Sequence, residues 1–184
     1  MSAPLTDRPA VSIRFSAAEI ATRVEEMAAE LAERLPADTL VVSVLKGSFV
    51  FAADLIRALS HAGANWSMDF LTLSSYGTGT QTTGTVRIVR DIVDDVRGRD
   101  VLLVDDILES GYTLSFAKNL LTERGAHRVW VCTLLDKPEK RRTPLQADFV
   151  GFRAGDEFLV GYGLDWAHRF RGLPYIGVVE KPAA

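Results

Sequence analysis

The spacing of apolar residues along the chain alternates between the period of helices and the period of buried strands. Helical spacing predicts a helix over Phe15–Leu35, which Ser16 and Glu19, three residues apart, begin as a capping box. Pro36 ends this helix. Its apolar stripe, which we expect to pack on the core, consists of Ile20, Val24, Met27, Leu31 and Leu35.

Further along the chain, short apolar runs that suit strands alternate with segments that suit helices. This alternation predicts an α/β fold that is Rossmann-like, with a mostly parallel central sheet and flanking helices on both faces. The predicted strands are Leu40–Leu45, Asn65–Ser74, Thr85–Ile92, Val101–Val104, Val129–Leu135, Asp148–Phe152, Phe158–Val160 and Leu173–Val179. The other predicted helices are Phe49–Ala62 and a helix from about Leu114 to Arg124, with Gly125 at its C-cap.

The composition is that of one ordinary globular domain, with 184 residues of which 47% are hydrophobic and 24% charged. The formal net charge of −3 gives no electrostatic reason to expect nucleic acid or an anionic membrane as partner. No apolar run approaches the ~20 residues of a membrane span, and the N-terminus has no secretory signal pattern. The single cysteine, Cys132, lies in a predicted strand, where we expect it to pack. It favours a reducing compartment, so the expected location is cytoplasmic.

The stretch Val101–Thr113, VLLVDDILESGYT, carries the clearest candidate chemistry. A buried strand runs into Asp105 and Asp106, and the small residues Ser110 and Gly111 precede a helix whose first N–H groups are unpaired. An open α/β sheet binds ligands at this end of its strands, and a helix N-terminus there suits a phosphate. The two acids need a separate partner, either a cation or sugar hydroxyls.

A second strand ends in Lys46-Gly47-Ser48, again before a helix. The spacing of a Walker loop is absent, and alone this tripeptide is read as a plain connection. A second phosphate-competent loop later in the chain favours a functional interpretation.

The segment from Ser75 to Gly84 is rich in Gly, Thr and Ser and contains one aromatic residue, Tyr76. It buries too little to hold one conformation. The residues leave open whether it is a loose hairpin tip or a lid that closes over a substrate.

Two families end a buried strand in Asp-Asp. In receiver domains of signalling proteins the pair lies near the start of the domain, whereas about a hundred residues precede it here, and Asp136 is followed at once by Lys-Pro. VLLVDDILESGYT instead resembles the signature of the phosphoribosyltransferases, in which two acids, two apolar residues and a third acid precede Thr/Ser-Gly-x-Thr.

The resemblance narrows to the hypoxanthine-guanine branch through further motifs in family order. These are Leu45–Ser48, Ser75-Tyr76, Leu135–Lys137, Phe158–Asp165 and Arg171 before Gly172-Leu173-Pro174. The resemblance implies a type I phosphoribosyltransferase fold over residues 1–184. It further implies a small hood near the C-terminal side of the sheet, built from the N-terminal segment and roughly residues 137–184.

The resemblance also implies a role for each motif residue. The phosphoribosyl group is assigned to Asp105, Asp106, Ile107, Leu108, Ser110, Gly111, Tyr112 and Thr113. The pyrophosphate is assigned to Lys46, Gly47 and Arg171, and the lid to Ser75 and Tyr76. The purine is assigned to Lys137, Phe158, Leu159, Val160 and Asp165. The cofactor Mg²⁺ is assigned to Asp165 and Asp105.

The implied activity is purine salvage, in which phosphoribosyl pyrophosphate and a 6-oxopurine give a nucleotide and pyrophosphate. Glu109 stands where this family usually has an aspartate that acts as base near purine N7. We expect Glu109 to keep that role, although the longer side chain leaves open a weakened enzyme or a xanthine preference.

The other alternative is a regulatory relative of this family that binds RNA. The acidic net charge, Lys137 and Phe158 argue against RNA binding. The resemblance also suggests a homodimer or homotetramer.

Overall fold

A computed structural model describes residues 10–76 and 85–179. Three helices and nine strands are assigned within these ranges. The strands are β1 Val11–Phe15, β2 Leu40–Leu45, β3 Ser67–Tyr76, β4 Thr85–Arg90, β5 Asp100–Leu108, β6 Arg128–Asp136, β7 Phe149–Arg153, β8 Leu159–Val160 and β9 Ile176–Val179. The helices are α1 Ala17–Arg34, α2 Phe49–His61 and α3 Tyr112–Glu123, with a 3₁₀ turn over Pro138–Lys140.

Six strands form the central sheet in the order β4-β3-β2-β5-β6-β7. All neighbours pair in parallel except β3 and β4, which are antiparallel. The predicted mostly parallel α/β architecture is therefore confirmed. Because β2 lies between β3 and β5, the strand order reverses there, and a crevice opens at the carboxyl ends of β2 and β5.

The core divides into two layers because alternate residues of a strand face opposite sides of the sheet. On β5, Leu102 and Val104 join the layer that contains α1 and α2. Val101 and Leu103 join the opposite layer, which contains α3. Cys132 is fully buried in the first layer, as its place in a predicted strand indicated. Burial raises the pKa of its thiol well above the usual range.

A second, three-stranded antiparallel sheet has the order β1-β9-β8. Strand β1 was not predicted, and Phe15, expected at the start of a helix, is its last residue. The reason lies in contacts remote in sequence, because Phe15 pairs with Ile176 and stacks on Phe152 at 4.4 Å between ring centroids. Within the range that we assigned to the hood, β7 extends the six-stranded sheet instead.

Strand β5 is longer than its apolar run. We predicted that the strand ends before the two aspartates, but it continues to Leu108 because its pairing with β6 continues to Asp136. Asp105 and Asp106 therefore lie within a strand. Among the described ranges, 10–76 and 85–179, no helix combines the length and the apolar character that crossing a membrane requires.

The predicted capping box at the start of α1 is present. The Glu19 backbone N–H donates to Ser16 Oγ at 3.3 Å, and the Ser16 backbone N–H donates to Glu19 Oε2 at 2.8 Å. We expect Ser16→Ala to lower the free energy of unfolding by about 1 kcal/mol, measured by urea denaturation. Ser60→Ala, an exposed position late in α2, is the control and should change it by no more than about 0.5 kcal/mol. Equal effects of the two substitutions would contradict the capping role.

Candidate active site

A cleft of about 340 Å³ lies at the carboxyl ends of β2 and β5, where the strand order reverses. Its walls also include Leu73 of β3, the turn from β5 into α3, Lys137 at the N-cap of the 3₁₀ turn, strand β8, and the loop between β8 and β9. Twelve of the residues predicted for the site line it: Lys46, Gly47, Asp105, Asp106, Ile107, Glu109, Thr113, Lys137, Phe158, Leu159, Asp165 and Arg171.

Asp105 and Asp106 are both nearly buried at the floor of this cleft, each 8% exposed. Their carboxylates accept the backbone N–H groups of Asp106 and Ile107, respectively, both at 2.9 Å. Burial raises the pKa of both carboxyl groups, and the charge of Asp106 adds to the effect on the pKa of Asp105. Two buried acids side by side favour a cation or hydroxyl donors as ligand.

Gly47 has no room for a side chain, because an ideal Cβ there would lie 1.8 Å from Asp106 Oδ2. The loop after β2 thus approaches the acid pair with bare backbone. The peptide bond between Leu45 and Lys46, at the start of this loop, is cis. The backbone of Gly163 approaches the same loop equally closely, since an ideal Cβ on Gly163 would lie 2.1 Å from the Gly47 carbonyl oxygen.

We expect Gly47→Ala to displace either the loop or Asp106 and to lower kcat/KM for the cleft's reaction about 10-fold or more. The measurement is steady-state kinetics, with a thermal melt to exclude unfolding. Gly172→Ala is the matched control, because a Cβ at Gly172 meets nothing within 4 Å. Wild-type kinetics in Gly47→Ala would show that the close approach has no functional importance.

The turn from β5 into α3 forms a smaller cavity of about 210 Å³ beside the cleft. Gly111 is the N-cap of α3 and has a φ of +88°, a left-handed conformation that glycine adopts without strain. Ser110, Gly111 and Thr113 line the cavity, as does Leu108. The first N–H groups of a helix next to these residues suit a phosphate. Tyr112 is the first residue of α3 and lines neither cavity.

Lys137 and Glu109 meet in the wall of the cleft, and Glu109 also lines the smaller cavity. Lys137 Nζ lies 3.3 Å from Glu109 Oε1 and donates to the Glu157 carbonyl oxygen at 2.8 Å. The Lys137 side chain is only 5% exposed, whereas that of Glu109 is 49% exposed. A buried ammonium donor therefore stands beside an accessible carboxylate, an arrangement that suits two adjacent polar atoms of one ligand.

Phe158 is 53% exposed and lines the same cleft. That exposure argues against the more common role of a phenylalanine, packing in the core, and leaves a flat apolar surface for a planar ring. Its neighbours Leu159 and Val160 are buried in β8, and Val160 does not reach the cleft.

Asp165 and Arg171 both lie in the loop between β8 and β9. They form an ion pair with 2.6 Å between Arg171 Nη2 and Asp165 Oδ1. Arg171 also donates to the Gly163 carbonyl oxygen at 2.6 Å, and Asp165 accepts the His168 backbone N–H at 2.8 Å. The cation and the acid predicted for this region therefore lie together.

Two structural partnerships at the site were not predicted. The Tyr162 hydroxyl donates to Asp54 Oδ2 of α2 at 2.5 Å, and this bond holds the turn that carries Gly163. Burial and the Asp54 carboxylate raise the pKa of Tyr162 well above its usual range. Arg141 bonds the backbone beneath Glu109. Neither pairing follows a sequence period, although Tyr162 and Arg141 both lie inside or beside the motifs described above.

The predicted lid falls largely outside the described residues. Ser75 and Tyr76 end β3, where their backbones pair with Val86 and Thr85 of β4. Residues 77–84 lie outside the described ranges. Lid closure therefore stays a prediction.

Within the described ranges, no group of three or more His, Cys, Asp or Glu side chains is arranged to hold a metal ion. Asp105, Asp106 and Asp165 nevertheless supply hard carboxylate oxygens to one cleft. Such a set suits a cation that takes its remaining ligands from a phosphorylated ligand and water, as Mg²⁺ does.

Comparison with known proteins agrees with this geometry. The model of the phosphoribosyl transferase domain family matches residues 16–166. The hypoxanthine-guanine phosphoribosyltransferase of Bacillus subtilis is 47% identical over 173 residues, 93% of each chain. The hypoxanthine phosphoribosyltransferase of Escherichia coli K12 is 44% identical over 92% of this chain and 95% of its own. The crystal structure of a hypoxanthine-guanine phosphoribosyltransferase from Bacillus anthracis superposes with a TM-score of 0.87 at 41% identity, covering 94% of this chain and 100% of that one.

Proposed function

The chain belongs to the phosphoribosyltransferase family, and we propose that it salvages purines by transferring the 5-phosphoribosyl group of phosphoribosyl pyrophosphate to N9 of hypoxanthine or guanine. The product is the purine nucleotide, with pyrophosphate as leaving group. One observation carries the proposal: a buried lysine with a carboxylate neighbour, suited to a 6-oxopurine, shares one cleft with the acid pair and the cations suited to phosphoribosyl pyrophosphate.

The phosphoribosyl half of the proposed site is the floor of the cleft with its smaller side cavity. The 5-phosphate is assigned to the turn of Ser110, Gly111 and Thr113 at the start of α3. Asp105 and Asp106 are assigned to the ribose hydroxyls, for which two carboxylates are good acceptors. This assignment supplies the partners that two buried acids require.

The pyrophosphate half is assigned to Lys46, the backbone of Gly47, and Arg171. Lys46 and Arg171 both line the cleft, and the fork of donors on Arg171 suits phosphate oxygens. Mg²⁺ is the proposed cofactor, held by Asp165 and Asp105, whose hard oxygens fit it. When bound, Mg²⁺ supplies positive charge that stabilises the leaving pyrophosphate.

The purine half is assigned to Lys137, Phe158, Leu159 and Asp165. Lys137 would donate to the 6-oxo group, and the ring would stack on the exposed face of Phe158. Glu109, 3.3 Å from Lys137, would lie near N7, which is on the same edge of the purine as the 6-oxo group and where a base assists the proton shift. A 6-amino group would meet Lys137 donor to donor, so adenine fits poorly.

In the proposed reaction, purine N9 bonds to C1′ of the ribose as the bond from C1′ to pyrophosphate breaks with inversion. Positive charge develops on the ribose ring in the transition state. Lys46 and Arg171 neutralise the departing pyrophosphate, and Glu109 takes up the proton at the purine. Exclusion of water by the predicted lid, with Ser75 and Tyr76, would keep the sugar from hydrolysis.

A spectrophotometric assay with phosphoribosyl pyrophosphate and four bases tests the proposal. We expect turnover of hypoxanthine and guanine, and turnover of adenine at least about 10²-fold slower. Turnover of adenine alone would contradict the role of Lys137, and a preference for xanthine would support the alternative of a shifted specificity. Filter binding of RNA without turnover of any base would support the RNA-binding alternative.

Two further expectations remain proposals. The buried single thiol is consistent with the reducing cytoplasm as the location. A homodimer or homotetramer is expected by resemblance, and the sedimentation coefficient in solution would decide between them.

A further inference from the structure

We propose that Arg141 is a positioning residue that holds Glu109 in place through the backbone carbonyl groups of Leu108 and Glu109. The inference rests on the role proposed for Glu109 and assigns a new role beside it. Arg141 does not line the main cleft, and it acts from beneath the site.

The guanidinium of Arg141 contacts two successive carbonyl groups at the end of β5. Its Nε donates to the Glu109 carbonyl oxygen at 3.0 Å, and one terminal nitrogen donates to the Leu108 carbonyl oxygen at 3.3 Å. The other terminal nitrogen donates to the Leu145 carbonyl oxygen at 2.7 Å. Arg141 therefore ties the strand end that carries Glu109 to the segment that follows the 3₁₀ turn.

Backbone hydrogen bonds from residues before and after Arg141 also attach this segment to the end of β5. The Lys137 N–H donates to the Leu108 carbonyl oxygen at 3.0 Å, and the Arg142 N–H donates to the Ser110 carbonyl oxygen at 2.9 Å. The carbonyl groups of three consecutive residues, 108 to 110, thus all accept from the segment 137–142. This segment also begins with Lys137, so the purine and phosphoribosyl halves of the site share one support.

The phosphate turn rests on the same segment. An ideal Cβ on Gly111 would lie 2.2 Å from Thr143 Oγ1 and 3.1 Å from Arg141 Cδ. The Ser115 hydroxyl of α3 also donates to Thr143 Oγ1 at 3.2 Å. Thr143, two residues after Arg141, therefore packs against the N-terminus of α3, while Arg141 itself bonds the strand end that carries Glu109.

Lysine would not replace Arg141. The Arg141 side chain is only 13% exposed, and Asp136, 14% exposed, compensates its charge through an ion pair with the guanidinium. The planar fork of arginine reaches several acceptors in fixed directions, whereas an ammonium group is a single point of charge. The backbone support matters for Glu109, because within residues 10–76 and 85–179 its half-exposed side chain makes a single hydrogen bond, with Lys137 at 3.3 Å.

Kinetics of Arg141→Lys with hypoxanthine and phosphoribosyl pyrophosphate test the proposal. We expect kcat to fall about 10- to 100-fold, because misplacing a catalytic group by about 1 Å costs about that much. Arg141→Gln is the second variant and tests the same point if the lysine variant does not fold. The matched control is Arg23→Lys, since Arg23 also donates to two backbone carbonyl groups, those of Val150 and Gly151, away from Glu109. Its kcat should stay within about threefold of wild type.

A double-mutant cycle with Glu109→Gln separates positioning from a general loss of packing. If Arg141 acts through Glu109, Arg141→Lys should lower kcat less than about threefold in the Glu109→Gln background. An equal loss in both backgrounds would overturn the inference, as would an unchanged kcat in folded Arg141→Lys and Arg141→Gln. An unchanged kcat in Glu109→Gln alone would instead refute the proposed role of Glu109, and the inference would fall with it.

Discussion

Glu109→Gln is expected to lower kcat with hypoxanthine by about 10²- to 10⁴-fold, the usual contribution of a general base. The carboxylate lies 3.3 Å from Lys137 Nζ at the purine end of the cleft, and the amide keeps its shape but accepts a proton poorly. KM for phosphoribosyl pyrophosphate should change little, because the floor of the cleft is untouched. Steady-state kinetics at saturating substrates measure the effect.

Two variants control this prediction. Glu139→Gln removes the same charge from an exposed side chain in the 3₁₀ turn and should leave kcat within about threefold of wild type. Glu109→Asp restores the residue usual in this family and shortens the side chain by one methylene. A kcat of Glu109→Asp that differs from wild type in either direction, while Glu109→Gln is nearly inactive, would fit a base whose position matters. Wild-type activity of Glu109→Gln would refute the assignment.

Arg171→Gln is expected to lower kcat about 10²- to 10³-fold, the cost of removing one preorganised donor to a developing charge. Arg171 lines the cleft, and its guanidinium lies 2.6 Å from Asp165 and 2.6 Å from the Gly163 carbonyl oxygen. In the reverse reaction, KM for pyrophosphate should rise as well, because the same donors meet the free ion.

Arg169→Gln is the matched control for this second prediction. Arg169 lies two residues earlier in the same loop with an exposed side chain, so the substitution removes the same charge from the same surface. Its kinetics should equal those of wild type within about threefold. Equal losses in Arg169→Gln and Arg171→Gln would mean that net charge, and no specific contact, governs pyrophosphate binding.

The elements that follow a local period were predictable from the sequence, and those that depend on remote partners were not. The capping box of Ser16 and Glu19 and the strand Leu40–Leu45 are local patterns, and the structure contains both. Strand β1 was missed because four of its five residues are not buried and its pairing partner lies more than 150 residues away. The extension of β5 through its aspartates depends on β6, which no pattern within β5 reveals.

The residues of the candidate site were likewise predictable from local motifs, whereas their remote contacts were not. Lys46, Asp105, Lys137 and Arg171 were named from motifs, and the structure brings all four to one cleft. The contact between Gly47 and Asp106 could not be predicted, because it depends on the reversal of strand order between β2 and β5. The bond from Tyr162 to Asp54 and the bonds of Arg141 to backbone carbonyl groups join segments that share no periodicity.

The close approach of the Gly47 and Gly163 backbones has a consequence for redesign of this enzyme. A Cβ on either residue would collide, with Asp106 in one case and with the Gly47 carbonyl oxygen in the other. A mutational library that seeks new base specificity should therefore leave Gly47 and Gly163 unchanged. Phe158 on the open wall is a better position, because its half-exposed side chain can change size without displacing a neighbouring chain segment.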